Sequence, residues 1–214
     1  MTLTDYTSPL IVQRADPYIY KHTDGYYYFT ASVPAYNLIE IRRAHTLEGL
    51  AHAAPRTIWR KHESGPMSQL IWAPEIHYTD GKWFIYFAAA ETTALDKLGM
   101  FQHRMFCIEC DAADPMRSED DWFEHGQVET GMDTFCLDAT TFEHDGKLYY
   151  VWAQKDTNIK GNSNLYIAEM SNPWTLKTKP VMISKPEYDW EIRGFWVNEG
   201  PAVIHRNGRF FLTY

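Results

Sequence analysis

A chain of 214 residues is long enough for one substantial domain or two small ones, and a hydrophobic share of 45% can supply a real core. The formal net charge is −8, with no run of Lys and Arg, which excludes a basic nucleic-acid surface and suits a neutral or weakly charged ligand. No apolar stretch is long enough to span a bilayer.

The start, Met1 to Leu10, lacks a basic segment followed by an apolar core. It therefore predicts no secretory signal and a cytoplasmic protein. The first clear element comes next: Asp16-Pro-Tyr-Ile-Tyr, a turn at Asp24-Gly25, then Tyr-Tyr-Tyr-Phe-Thr30. Leu47 to Ala54 reads as a turn of helix. A second hairpin runs from Ala73 through Asp80-Gly81 to Phe87. Arg104 to Glu109 reads as a strand, and residues 111–121 as a polar loop. The third hairpin runs from Asp138 through Asp145-Gly146 to Trp152. Lys160 to Asn164 is a loop and Leu165 to Met170 a strand, and Pro173, Pro180 and Pro186 prevent any long regular element between that strand and the next hairpin. The fourth hairpin opens at Gly200, turns at Asn207-Gly208, and is still in its second strand at Tyr214. An aromatic strand left without a neighbour is a poor end for a domain, so 1–214 is expected to be one domain truncated at its C-terminus.

Each turn dipeptide supplies the positive φ that a two-residue hairpin needs. The turn glycines, Gly25, Gly81, Gly146 and Gly208, recur about every 60 residues, a spacing typical of propeller blades and similar arrays. Spacing alone leaves a β-sandwich open. The 8 Trp, 14 Tyr and 11 Phe fit pleated, half-buried surfaces, and a few of these flat rings could also stack on sugars. Cys107, Cys110 and Cys136 make an odd count that argues against a disulfide framework. No second pair or histidine cluster completes a zinc site around the lone CxxC, so these read as structural thiols.

Asp16, Asp138 and Glu199 stand nine, eight and nine residues before their turn glycines. Three acids thus open three hairpins at nearly matched places, among small or apolar neighbours where an unpaired carboxylate is costly to bury. In an array with a central axis they would converge. Their bland alternative is turn capping, or pairing with Arg14 and Arg193. Glycoside hydrolysis needs such a set: one acid to protonate the leaving oxygen and a carboxylate to activate water or attack the sugar. A third can raise the acid's pKa by repulsion.

The segments Ala15-Asp-Pro17, Trp72-Ala-Pro-Glu75, Leu137-Asp-Ala139 and Asn198-Glu-Gly-Pro201, in that order, resemble glycoside hydrolase family 43. That family contains α-L-arabinofuranosidases, β-xylosidases and arabinanases. The resemblance covers Pro9 to Tyr214. It implies an all-β, five-bladed β-propeller, about four blades of which are present here, and an inverting mechanism. It also implies that Asp16 is the general base, that Asp138 tunes and orients the acid, and that Glu199 is the general acid. Inversion sets base and acid about 6.5–9.5 Å apart.

His62 to Ser68 and Trp190 to Trp196 resemble the arabinofuranosidase branch. They imply an exo-acting enzyme that removes terminal α-L-arabinofuranosyl residues from an oligosaccharide or a polysaccharide side chain. A β-xylosidase or arabinanase on the same scaffold, a fructan-acting propeller hydrolase and a non-catalytic carbohydrate-binding propeller are the rivals.

Trp72 reads either as a wall of the sugar pocket or as core. Arg193 and Phe195 are further candidates to line the pocket. Glu75 lies off the register of the acids and reads as structural or peripheral, a partner for an arginine. Glu191 also lies off register and ranks below Glu199 as the acid. His22, His77, His144 and His205 fall at the hairpin tips and are expected to be exposed. No cofactor, metal site, nucleic acid or membrane partner is expected. Some members of the family hold an ion in the channel with a histidine from the last blade, a region beyond Tyr214.

Overall fold

The computed structural model of the chain describes residues 8–214. The first sheet runs β1 (Ala15–Lys21), β2 (Tyr27–Ser32), β3 (Leu38–Ala44), β4 (Arg56–Arg60), each strand antiparallel to the next. The second repeats this order with β5 (Gln69–Thr79), β6 (Lys82–Ala90), β7 (Arg104–Cys110) and β8 (Trp122–Gln127). The third contains β9 (Cys136–His144), β10 (Lys147–Gln154) and β11 (Asn164–Asn172), with the short β12 (Thr175–Leu176) and β13 (Val181–Ser184) both pairing with β11. The last is a hairpin of β14 (Ala202–Arg206) and β15 (Arg209–Thr213). The expected helical turn is α1 (Leu47–His52), whose N-cap Thr46 accepts a hydrogen bond from the Gly49 N–H. The fold is all-β, as expected. The four sheets do not close into a ring among the described residues.

The first strands of the sheets sit side by side. β1 and β2 pack on β5, β5 and β6 pack on β9, and β9 meets β14. Burial explains why. β6 reads Lys-Trp-Phe-Ile-Tyr-Phe-Ala-Ala-Ala with no polar alternation after its first residue, the pattern of a strand covered on both faces. Trp83, Ile85, Phe87 and Ala89 join Tyr28, Ile39, Ile41 and Ile58 in a core toward the first sheet. Phe84, Tyr86 and Ala88 join Tyr150, Trp152 and Cys136 in a core toward the third. Each fully buried large side chain contributes about 1.5–3 kcal/mol, so the second sheet is held from both sides. The three thiols are free and buried within these layers.

Three hairpins have the expected two-residue turns, closing Thr79 on Lys82, His144 on Lys147 and Arg206 on Arg209. Both turn residues have positive φ in each case, as in Asp80 (51°) and Gly81 (83°). The first hairpin differs: its strands close at Lys21 and Tyr27, with five residues between them. There the Asp24 carboxylate accepts from the Tyr26 N–H at 2.8 Å and the Tyr28 hydroxyl at 2.7 Å, which favours a wider turn.

The cavity ends of β1, β5 and β9 share one irregularity. Ala15 pairs with Ser32 and Tyr18 with Thr30, so three steps on one strand match two on the other. Trp72 and Glu75 do the same against Ala88 and Tyr86, and Leu137 and Thr140 against Ala153 and Val151. These are β-bulges, and the residue just inside each has positive φ: Asp16 (51°), Ala73 (44°) and Asp138 (50°). In the last hairpin Ala202 pairs with Thr213, which gives Gly200 (φ 63°) the corresponding place. Asp16 and Asp138 are therefore true equivalents, while Glu199 stands one residue earlier, level with Trp72. Counting back from the turn glycines put Asp16 level with Glu199 because it could not see the wider first turn.

Candidate active site

The bulges turn the chain as it enters each sheet and aim side chains from different sheets at one space. Asp16, Asp138 and Glu199 line a single cavity of about 250 Å³, together with Trp72, Tyr36 and Leu137. Trp72 is half-buried. Its ring stacks on His103 at 4.0 Å and meets Phe101 and Tyr36 edge-on, so it is at once a wall of the cavity and a member of the adjoining core.

Each acid is fixed by a donor from elsewhere in the fold. The Ser32 hydroxyl donates to Asp16 Oδ2 at 3.0 Å and accepts the Ala73 N–H at 2.8 Å, which ties Asp16 to the second sheet. The Gly200 N–H donates to Asp138 Oδ2 at 3.0 Å. The Ser163 hydroxyl donates to Glu199 Oε1 at 2.6 Å. Among the described residues, none of these three acids pairs with Arg14 or Arg193. Arg14 bonds Glu40 instead, at 2.9 Å.

Burial, then the charges of Glu199 and Asp16, push the Asp138 carboxyl up to about 8, against the lowering effect of the Gly200 N–H. Burial also raises Glu199, with help from Asp16 and opposed by Ser163. The Asp138 carboxyl thus keeps its proton toward neutral pH, and its titration is linked to the charge on Glu199. Such an arrangement can donate a proton and hold a carboxylate within one small space.

Below the acids lies Glu75, level with Tyr18 and Thr140 in the bulge register. Its partner is His77 at 3.1 Å, not an arginine, and it is interior rather than peripheral. Burial raises its carboxyl, opposed by hydrogen bonds from His77 and Thr140. His77 is buried with it and lies 3.5 Å from the Tyr18 hydroxyl. His22 packs among Tyr78, Trp83 and Tyr28. Only His144 and His205 are exposed as the tip positions suggested. Histidines beside the turns are therefore not uniformly solvated, because two of them face inward against aromatic neighbours.

Arg193 and Phe195 are not brought to the cavity. Both are exposed, in the connection between β13 and β14. Glu191 is buried there as a staple: it accepts from the Glu187 and Tyr188 N–H groups at 2.6 Å and from the Tyr214 hydroxyl at 2.8 Å. Tyr36, Ser32 and Ser163 were missed in the sequence. Tyr36 comes from the connection between β2 and β3, and the two serines lie outside the hairpin openings, so the repeat gave no signal for them. No group of three or more His, Cys, Asp or Glu among the described residues is placed to hold a metal ion.

Residues 6–214 match the family described as Glycosyl hydrolases family 43. A relative from Streptomyces avermitilis, named extracellular exo-alpha-(1->5)-L-arabinofuranosidase, is 51% identical over 98% of this chain and 42% of its own length. One of the same name from Streptomyces chartreusis is 49% identical over 98% of this chain and 62% of its own length. Among solved structures, the alpha-L-arabinofuranosidase from Lactobacillus brevis is 80% identical with a TM-score of 0.95, over 97% of this chain and 65% of that one. The chain thus spans less than two thirds of each. The expectation of a cytoplasmic protein is contradicted by these names: two relatives at about half identity are named extracellular. The first ten residues were a poor guide to destination.

Proposed function

The chain belongs to glycosyl hydrolases family 43, and on that premise we propose that it is catalytic sequence of an inverting exo-α-L-arabinofuranosidase. In this reading residues 1–214 are one domain, truncated at its C-terminus, and the four sheets are blades of a five-bladed β-propeller. The single observation that carries the activity is the convergence of Asp16, Asp138 and Glu199 with Trp72 on one small cavity. A cavity of about 250 Å³ suits a terminal sugar better than a chain passing through.

Asp16, oriented by Ser32, takes a proton from water as that water attacks the anomeric carbon. Glu199 gives its proton to the departing glycosidic oxygen, so the carbon–oxygen bond breaks with inversion. Asp138, held by the Gly200 N–H, tunes and orients the acid. Trp72 offers a flat apolar face to the sugar.

Proton NMR of the first-formed anomer tests the mechanism: an α-arabinofuranoside should release the β-anomer, and retention would overturn inversion. Hydrolysis of p-nitrophenyl α-L-arabinofuranoside over the β-D-xylopyranoside tests the sugar, and the reverse preference would move the chain to the xylosidase branch. Glu199→Gln should lower kcat on arabino-oligosaccharides by about 10²–10⁴ and on activated aryl substrates by much less. Equal losses would contradict the acid role.

A further inference from the structure

The residues that hold Glu199 come from the connection that leads into β11 of the third sheet, not from its own hairpin. Ser163 and Val197 form an isolated parallel bridge. The Asn162 N–H donates to the Trp196 carbonyl at 2.7 Å, and the Asn198 N–H to the Ser163 carbonyl at 3.2 Å. Residues 162–163 and 196–198 are thus laced together immediately before the acid. Ser163 is 1% exposed, and its hydroxyl points at Glu199 Oε1 from 2.6 Å. That length is typical of a hydroxyl donating to a carboxylate.

We infer that Ser163 is a positioning residue for the acid, its hydroxyl engaging Glu199 Oε1 so that Oε2 is left to carry the proton. This rests on the reading of Glu199 as the general acid. As the O–H bond of Glu199 breaks and an O–H bond forms on the departing sugar, negative charge grows on the carboxyl and the Ser163 bond strengthens. The interaction is therefore worth more in the transition state than at rest, which is what speeds a reaction. The titratable groups that face Glu199 are Asp16 from β1 and Asp138 from β9; the charge of Asp16 opposes ionisation of Glu199, while Asp138 is itself held up to about 8 by burial and by the charges of Glu199 and Asp16. Ser163 is the group that favours ionisation of Glu199.

The test is a pair of substitutions in the intact protein, Ser163→Ala and Ser163→Cys, with folding checked by Tm. Alanine leaves the space of the hydroxyl empty, whereas cysteine fills it and slightly more but donates weakly. Both variants should lose about tenfold in kcat on an arabino-oligosaccharide, with KM little changed and an activated aryl arabinofuranoside much less affected. The limb on which activity falls as pH rises should move to higher pH in both, because the acid loses a donor that favours its charged form. A Cys variant with wild-type kcat and pH profile would mean that Ser163 only fills space, and would overturn the inference. So would an unshifted limb in both variants. Glu199→Gln measured alongside separates the two readings. If it loses both substrates equally, the acid assignment fails; if it spares the aryl substrate while the Ser163 variants match wild type, only the serine's role fails.

Discussion

The two ends of the innermost strands use the same backbone conformation for different purposes. At the tips, Asp80, Asp145 and Asn207 have φ of 51°, 49° and 53°, each followed by a glycine, and the result is a tight turn that solvent surrounds. At the cavity end, Asp16, Ala73 and Asp138 have φ of 51°, 44° and 50° with no glycine beside them. The left-handed region suits Asn and Asp at a turn but is strained for alanine. At the tips the sequence supplies residues that accept the conformation. At the cavity end Asp16 and Asp138 accept it in the same way, but Ala73 does not and is held there by the bulge, and the side chains that result are aimed inward. Strain of this kind collects at functional sites, where surrounding structure over-determines the backbone.

Among substitutions at the positive-φ positions of these two ends, Asp138→Asn should have the largest effect, and in two opposite directions. Loss of the carboxyl group should lower kcat on an arabino-oligosaccharide by about 100-fold. Stability should move the other way. The folded Asp138 carboxyl is held up to about 8, above the ordinary aspartate value of about 3.9 in the unfolded chain. Between those values the folded state keeps a proton that the unfolded state has lost, so stability falls as pH rises through that window. Asparagine cannot ionise and can still accept from the Gly200 N–H. Thermal unfolding should therefore show a Tm gain of about 2–5 °C at pH 8 and none at pH 4. A gain of the same size at both would show that the carboxyl is not strained by its surroundings.

At the tip, Gly146→Ala should cost about 1–2 kcal/mol in a urea titration and leave kcat unchanged. Its φ is 71° and an added Cβ would meet nothing within 4 Å, so only backbone strain contributes. A fall in kcat would mean that the two ends are not independent. Ala73→Gly should give the smallest change, within about 0.5 kcal/mol, because relief of positive φ offsets the added freedom of the unfolded chain. A loss near the usual cost of alanine to glycine, about 1 kcal/mol, would remove the argument for strain at the cavity end.

Much of the architecture was legible because it is written in local chemistry. Asp-Gly and Asn-Gly marked all four hairpins, and the runs between them predicted β7, β11 and α1. The three acids were legible as a set because each opens a strand at the same end of its sheet. What could not be read was set by longer-range contacts. Asp24 widens the first turn through its bond to Tyr28, which shifts the count to Asp16. Glu75 and His77 look like surface residues beside a turn, but the stacking of sheets buries them together. Arg193 and Phe195 stood close in sequence to Glu199, yet the chain between β13 and β14 carries them away from the cavity.

Gly161 gives the lacing beside Glu199 an unexpected consequence. Its φ is 111°, and a Cβ there would stand 2.8 Å from the Trp196 carbonyl oxygen, closer than real atoms approach. Any side chain must push residues 196–198 away and take Glu199 with them. In a screen for inactive variants, position 161 should therefore score like a member of the reacting set, although it touches none of those acids and offers a sugar nothing to hold.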